Sequence, residues 1–456
     1  MSQKLNTPKG TRDFFPSDVR KRQYIFQVIT NAFEGFGFDP IETPSFELSA
    51  TLMGKYGEEG DRLIFRILNS GDKMKKADIA ALQHDQLPKF AASLSEKALR
   101  YDLTVPFARF VVQHQHQLVF PFKRYQIQPV WRADRPQHGR YQEFYQCDGD
   151  IVGSDSLRNE VTLLKIIQQV FTELGLPGFT IKLNNRKVLA GIAEVCHAEN
   201  DIIALTVALD KLDKIGKDGV LEELRQKGIN DHVIDRIAPL FALQGDFAEK
   251  LGFLRSFLAK SNIGMKGLEE LQYVQEKLQP QFGAQHVLEL DVTLARGLNY
   301  YTGIIVEVKA HQVEMGSICG GGRYDDLTAL FGLKGLSGVG ISFGADRIFD
   351  IMETLSLFPP SLNAGPDLLF LNFSEESADQ CEVWAEQLRQ KKKTVEVFPS
   401  AVKMQKQLKY ANDRGVRWVA FYGTEEIQNR MVVLKNMDTG AQSSYAVDSW
   451  LEDWEG

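Results

Sequence analysis

Between about residues 186 and 285 the chain reads as helix after helix, rich in charge and poor in strand signals. Strand-rich sequence lies on both sides of this block. No other feature constrains the fold as much. A helical block between two strand-bearing stretches reads as an insertion into one sheet-containing domain. Upstream, Ser17 can cap a helix whose apolar face is Ile25, Val28, Ile29, Ala32 and Phe33, and Gly35 and Gly37 end it. Short strand-like runs follow at 62–68, 118–122 and 125–132. Leu157, Val161, Leu164, Ile167 and Phe171 mark a long amphipathic helix, and 180–183 is a further strand. Downstream, strands resume at Val287 and continue to Ile318. Residues 320–325 read as a glycine loop, and 338–352 as a strand passing into a helix.

Residues 357–366, Leu-Phe-Pro-Pro-Ser-Leu-Asn-Ala-Gly-Pro, form a linker by composition. Beyond it, strands at 368–373, 395–398, 418–422 and 431–434 alternate with helices at 375–391, 402–414 and 447–454. That alternation predicts a small α/β domain. The expected organisation is a core of 1–185 and 286–356, an insertion of 186–285, a linker of 357–365 and a terminal domain of 366–456.

Several function classes drop out on composition. No apolar run approaches the roughly 20 residues of a membrane span, and the first ten residues lack the apolar core of a signal peptide. A cytoplasmic protein with no membrane partner is expected. Cys147, Cys196, Cys319 and Cys381 show no CxxC spacing, and His114 and His116 stand without a supporting cluster. Neither a disulfide framework nor a protein-only metal site is expected. A net charge of −7 argues against a general nucleic-acid coat but leaves room for local basic patches. There is no GxxxxGK[ST] and no strand-to-helix GxGxxG. Any nucleotide must therefore be held by side chains, chiefly arginines.

The run Leu-Ala-Arg-Gly-Leu-Asn-Tyr-Tyr-Thr-Gly at 294–303 sits between two strand signals. Arg296 offers a forked cation for phosphate or carboxylate, and Tyr300 and Tyr301 offer apolar walls with hydroxyl tips. A pocket for a small polar ligand and an anion fits; so does a hairpin rim with a snorkelling arginine. Arg132 lies at the end of a strand and begins a stretch, 132–144, that carries two further arginines. An arginine there points at whatever lies over the sheet, with a charged hairpin tip as the alternative. Asp102 and Thr104 share a face if extended, a pairing suited to an α-ammonium group or to the outer face of an edge strand. Arg347 falls near a helix start, where it opposes the dipole unless an anion is bound. Residues 391–417 hold eight Lys or Arg against Glu396 and Asp413, with Lys403, Lys406 and Lys409 near one side of a helix. A solvated face is the ordinary reading of such a run.

Taken in order, these stretches resemble the histidyl-tRNA synthetases of the class II aminoacyl-tRNA synthetase family. The resemblance implies an α+β catalytic core, an antiparallel sheet flanked by helices, with a helical insertion and a C-terminal α/β anticodon-binding domain. It implies a homodimer, with 41–44 (Ile-Glu-Thr-Pro) as the motif that builds the interface. The implied reaction activates histidine with ATP, accompanied by Mg²⁺, to histidyl-adenylate and pyrophosphate. The histidyl group then passes to the 3′ end of tRNA(His). By the same resemblance, Arg132 and Arg296 flank the α-phosphate as catalytic residues. Asp134, Phe144 and Arg347 join Arg132 in holding ATP. Asp102, Thr104, Arg132, Gln146, Asp150, Arg296, Tyr300, Tyr301 and Tyr324 hold histidine. Gln137 and Arg140 face the tRNA acceptor end, and Lys403, Lys406 and Lys409 face the anticodon. The stretch Lys-Gly-Thr-Arg-Asp at 9–13 also matches the family's N-terminal region. Asn299 departs from the family's usual Asp, and Asp134 and Asp346 stand where Glu is more usual. A regulatory relative that senses histidine without catalysis would lack the anticodon-binding domain that 366–456 resembles. Lys-Met-Gln-Lys-Gln at 403–407 is superficially similar to the class I KMSKS loop, but no HIGH-like partner accompanies it.

Overall fold

The computed structural model describes residues 5–137, 139–199, 212–278, 286–295, 300–363 and 365–454. Two compact units emerge, one of 1–15 with 21–357 and one of 16–20 with 358–456.

The first unit is built on an eight-stranded sheet. Its strands are β1 (Asp39–Pro40), β5 (Phe122–Trp131), β6 (Glu143–Val152), β7 (Phe179–Asn185), β8 (His286–Leu290), β9 (Ile304–Ala310), β10 (Cys319–Tyr324) and β11 (Gly338–Gly344). They lie in the order β1-β5-β6-β11-β10-β9-β7-β8. The interior pairings are antiparallel, and β1 and β8 add in parallel at the two edges. A small sheet of β2 (Phe46–Leu48), β3 (Arg66–Ile67) and β4 (Lys97–Leu99) belongs to the same unit.

Side chains alternate across a sheet, so each strand contributes two faces. On one face, helices α1 (Pro16–Gly35) and α3 (Arg158–Glu173) supply the apolar cover. Phe33 stacks on Tyr125, and both Phe33 and Phe171 meet Phe343 edge-on. Ile25, Val28, Ile29, Ala32 and Phe33 are all buried, as their helical spacing predicts. Gly149 belongs to this face: a Cβ there would lie 2.1 Å from the Phe33 ring. The other face carries Gln146, Asp148 and Asp150 of β6, paired across the ladders with Ser342, Gly340, Arg124, Gln126 and Gln128. That polar face is the floor of the cleft described below.

Residues 320–325 are not a loop. Five of them form β10, in the middle of the sheet. Three glycines look like punctuation, yet here they meet a demand for space. A Cβ on Gly321 would lie 2.1 Å from the Gly340 carbonyl, and one on Gly322 would lie 2.9 Å from the Tyr301 ring. Asp102 and Thr104 are not in an extended strand either. Thr104 opens helix α2 (Thr104–His114), whose early Val105 N–H donates to Asp102. The run at 62–68 yields only Arg66–Ile67 as strand, and that at 118–122 contributes only Phe122.

The described part of 186–285 is helical, with helices Arg186–Cys196, Leu212–Gln226, Asp231–Ile237, Phe247–Phe257 and Asn262–Leu278. It leaves from the end of β7 and returns at β8, which pairs beside it. Arg186–Cys196 packs closely on Asn262–Leu278 where two glycines meet: a Cβ on Gly191 would lie 2.5 Å from the Gly264 Cα.

The second unit has a five-stranded sheet of β12 (Leu368–Phe370), β13 (Val395–Val397), β14 (Trp418–Phe421), β15 (Met431–Asn436) and β16 (Gln442–Ala446). Their order is β13-β12-β14-β15-β16, parallel in the first three and antiparallel beyond. Phe370, Trp384 and Trp450 fill one side of it, with ring centroids 5.5–6.2 Å apart. Sequence reading misses β16, the exposed polar strand Gln-Ser-Ser-Tyr-Ala, and the short helix Thr424–Asn429. The final helix is only Trp450–Asp453, shorter than its apolar residues suggest.

Candidate active site

A cleft of two joined compartments lies over the polar face of the large sheet. Arg132, Asp134, Phe144, Tyr141 and Arg347 line the first, a cavity of about 270 Å³. Asp102, Thr104, Tyr300, Tyr301, Leu294 and Glu307 line the second, of about 210 Å³. Arg132, Gln146, Gly320 and Ser342 border both.

Arg132 follows directly on β5, so the strand aims it over the sheet. Its Nε donates to the Tyr101 carbonyl at 3.1 Å, and its guanidinium sits 4.3 Å from the Tyr101 ring and 5.2 Å from that of Phe144. Aromatic faces hold a cation without neutralising it, which leaves the charge available to an anion. Arg347, in the first turn of helix α4 (Ala345–Thr354), donates to the carbonyls of Gly139 and Ser317 at 2.9 and 2.6 Å. Gln137 and Arg140 are joined by paired main-chain bonds. Arg140 stands half-exposed at the rim, 3.8 Å from Asp134.

Asp346, beside Arg347, is a buried hub. Its Oδ1 accepts from Arg12 at 2.6 Å and Arg22 at 2.5 Å, and its Oδ2 accepts from the Tyr145 N–H at 2.8 Å. The Arg12 guanidinium also lies 3.6 Å from the centroid of the Tyr141 ring. The 9–13 stretch is thus tied to the wall of the first compartment.

In the second compartment, Asp102 is fully buried and burial pushes its carboxyl above the usual range. Its Oδ1 accepts from the Tyr56 hydroxyl at 2.8 Å and from Val105 N–H at 3.1 Å. Its Oδ2 is buried without a hydrogen-bond partner. The rings of Tyr300 and Tyr301 meet edge-on with centroids 4.9 Å apart, and both line the compartment with Thr104. Gln146 donates through Nε2 to Ser342, which lies opposite Asp148 across the ladder, and Gln146 Oε1 is buried without a partner. Burial pushes Asp148 up to about 7, against the attraction of Arg124.

Of the residues singled out in sequence, the structure brings Asp102, Thr104, Arg132, Asp134, Gln146, Tyr300, Tyr301, Arg140, Phe144 and Arg347 to this cleft. Asp150 and Tyr324 are on the same face of the sheet but outside the lining of both compartments. Tyr324 donates to Asp150 at 2.6 Å, Arg124 pairs with Asp150 at 2.6 Å, and neither Asp150 nor Tyr324 borders a compartment. Arg296 and Asn299 fall outside the described residues. Lys403, Lys406 and Lys409 are exposed on or beside the helix Met404–Asp413 of the second unit. Tyr56, Asp148, Ser342 and Glu307 escape sequence reading. For Asp148 a signal existed, since it shares a strand face with Gln146 and Asp150. Among the described residues no group of three or more His, Cys, Asp or Glu side chains converges to hold a metal ion, and no helix is long and apolar enough to cross a membrane.

The family model of histidyl-tRNA synthetase matches residues 78–348, and that of the anticodon binding domain matches 367–453. The chain belongs to the histidyl-tRNA synthetase family. It is 57% identical to the histidine–tRNA ligase of Christiangramia forsetii over 97% of this chain and 98% of that protein. It is 54% identical to the one from Flavobacterium johnsoniae, again over 97% and 98%. Among solved structures, the histidyl-tRNA synthetase of Nostoc sp. PCC 7120 superposes with a TM-score of 0.81, at 29% identity and 99% of both chains. The class II fold expected from the family motifs is the fold observed, with the sheet mixed at its edges.

Proposed function

We propose that the first compartment seats ATP and the second seats histidine, with Arg132 at the junction. The chain is a histidine–tRNA ligase, the activity its family carries. One observation carries the assignment of compartments: Arg132 and Gln146 border both, so a carboxylate in one and an α-phosphate in the other would meet at a single guanidinium. In the first step a histidine carboxylate oxygen attacks the α-phosphorus. The bond from that phosphorus to the β-bridging oxygen breaks, and pyrophosphate leaves. In the second step the terminal ribose hydroxyl of tRNA attacks the carbonyl carbon, and AMP leaves with its oxygen. The protein's part is positioning and charge stabilisation.

Phe144 and Arg347 form the walls on which adenine and the outer phosphates rest, and Asp134 lies on the adenine side. Mg²⁺ arrives with the triphosphate, whose charge it offsets. Asp102 and Thr104 take the α-ammonium group, and Gln146, Tyr300 and Tyr301 take the polar atoms of the side chain and backbone. Asp150 and Tyr324 act on the histidine pocket from behind its wall, Tyr324 through its packing on Tyr300 and Tyr301. Arg296 joins Arg132 at the α-phosphate by family resemblance. Gln137 and Arg140 meet the acceptor end, a role supported by Arg140 at the cleft rim. Lys403, Lys406 and Lys409 meet the anticodon, supported by the anticodon-binding match over 367–453. Residues 186–285 are an insertion into the catalytic core, supported by their exit and return at neighbouring strands. The working form is a cytoplasmic homodimer.

The test is amino-acid-dependent exchange of pyrophosphate into ATP, with each of the twenty amino acids in turn. Exchange with histidine alone is expected. Exchange with another amino acid would sink the reading of the second compartment.

A further inference from the structure

We propose that Tyr56 is the positioning residue of the ammonium site: its hydroxyl occupies Oδ1 of Asp102, so that Oδ2 is the oxygen presented to the amino-acid compartment. The proposal rests on the reading that histidine's ammonium group binds beside Asp102.

A carboxylate has two oxygens and about four acceptor positions. Buried and unrestrained, it can rotate and spend them on whatever donor is nearest. Here Oδ1 is taken twice, by the Tyr56 hydroxyl at 2.8 Å and by the Val105 N–H at 3.1 Å. The two donors come from different elements. Val105 belongs to the first turn of α2, and Tyr56 precedes the short helix Gly57–Arg62. Together they fix the carboxylate from two directions. Oδ2 is left buried with no partner, in a residue that lines the compartment. A buried acceptor without a donor is costly, and an ammonium group is the donor that would satisfy it. Tyr56 is itself buried and packs its ring 4.7 Å from that of Tyr101, so its hydroxyl has little freedom to point elsewhere. Tyr101 is in turn the residue whose ring and carbonyl hold Arg132. The aromatic pair therefore steadies both charges, one for each end of an amino acid.

Tyr56 touches neither compartment and acts only through Asp102. Its role should therefore appear as loss of ammonium recognition rather than loss of chemistry. The variant is Tyr56→Phe, which removes only the hydroxyl. The probes are histidine and its des-amino analogue, imidazolepropionate, which keeps the ring and carboxylate. Binding of each is measured by calorimetry without ATP, so that no adenylate forms, beside the melting temperature. The wild-type protein should prefer histidine strongly. In Tyr56→Phe, histidine should bind about tenfold more weakly, the usual effect of losing a hydrogen bond to a charged group. The analogue should bind as before, and the KM for ATP should stay within about twofold. Equal weakening of both probes would mean general distortion and would overturn the proposal, as would no weakening of either. If the wild-type protein itself does not distinguish the probes, the placement of the ammonium group beside Asp102 is wrong and the proposal falls with it. Should Tyr56→Phe fail to fold, the double variant D102N/Y56F is compared with Asp102→Asn. Equal discrimination in the two supports action through Asp102; a further loss in the double variant overturns it.

Discussion

The Nε2 of Gln146 lies 2.8 Å from the Oγ of Ser342, and that hydrogen bond decides which end of the amide faces the cleft. An amide nitrogen can only donate, so the Ser342 hydroxyl accepts from it. Gln146 Oε1, buried and without a partner, is then the acceptor offered to a ligand. Replacing Ser342 with Ala frees the amide to turn. The expected result is a rise of about fivefold in the KM for histidine, in keeping with one neutral hydrogen bond. Pyrophosphate exchange at varied histidine measures it, and an unchanged KM would remove Ser342 from the argument.

Arg132 borders both compartments, so its contribution should grow as charge develops on the α-phosphate. Arg132→Ala should lower single-turnover adenylate formation by about 10²–10³, the range found when one stabilising donor of a transition state is removed. Lysine should restore little. A point charge on a flexible stem cannot reproduce the fork that Tyr101 and Phe144 hold in place. Recovery by Arg132→Lys to within tenfold of the wild-type rate would contradict this.

Much of the core was legible because alternation and helical spacing are strong signals. The apolar face of α1 follows directly from residues 25–33. Legibility failed where a residue serves space or burial rather than periodicity. Gly320, Gly321 and Gly322 look like a turn, but they are a strand whose neighbours leave no room for a Cβ. Asp102 and Thr104 were legible as a pair, yet the geometry joining them is a helix start and not a strand. Tyr324 is singled out by its motif, but its hydroxyl donates to Asp150 and it borders neither compartment. Tyr56 carried no signal, since its partner Asp102 is remote in sequence and no spacing connects them.

Asp148 ties stability to pH. Burial raises its folded pKa to about 7, well above the ordinary 3.8. The folded protein therefore keeps a proton that the unfolded chain releases near pH 4. Stability from this group is fully present below that pH and is lost as pH rises through about 7. Asp148→Asn cannot ionise and escapes that loss. Asp102 and Asp150, also pushed up by burial, are common to both proteins and cancel in the comparison. The melting temperature of the variant minus that of the wild type should therefore increase from pH 5 to pH 8. A difference that is flat across this range would mean that Asp148 does not titrate there.

The N-terminal stretch should matter to nucleotide binding although it lines neither compartment. Arg12 reaches Asp346 at 2.6 Å and lies over the ring of Tyr141, and Tyr141 in turn donates to Asp350 at 2.7 Å. Gln142 N–H donates to the Gly10 carbonyl at 2.8 Å, so main chain as well as side chain ties 9–13 to the strand entering the first compartment. Asp346 precedes Arg347, and a shift of one moves the other. Arg12→Ala leaves Asp346 its bonds to Arg22 and to Tyr145 N–H, so the fold should survive. The KM for ATP should rise about threefold to tenfold, the effect of one partly exposed charged hydrogen bond acting at one remove. The KM for histidine should change by less than about twofold. Exchange assays varying each substrate separately measure both. A variant that weakens histidine as much as ATP would show that Arg12 supports the whole cleft and not its nucleotide side.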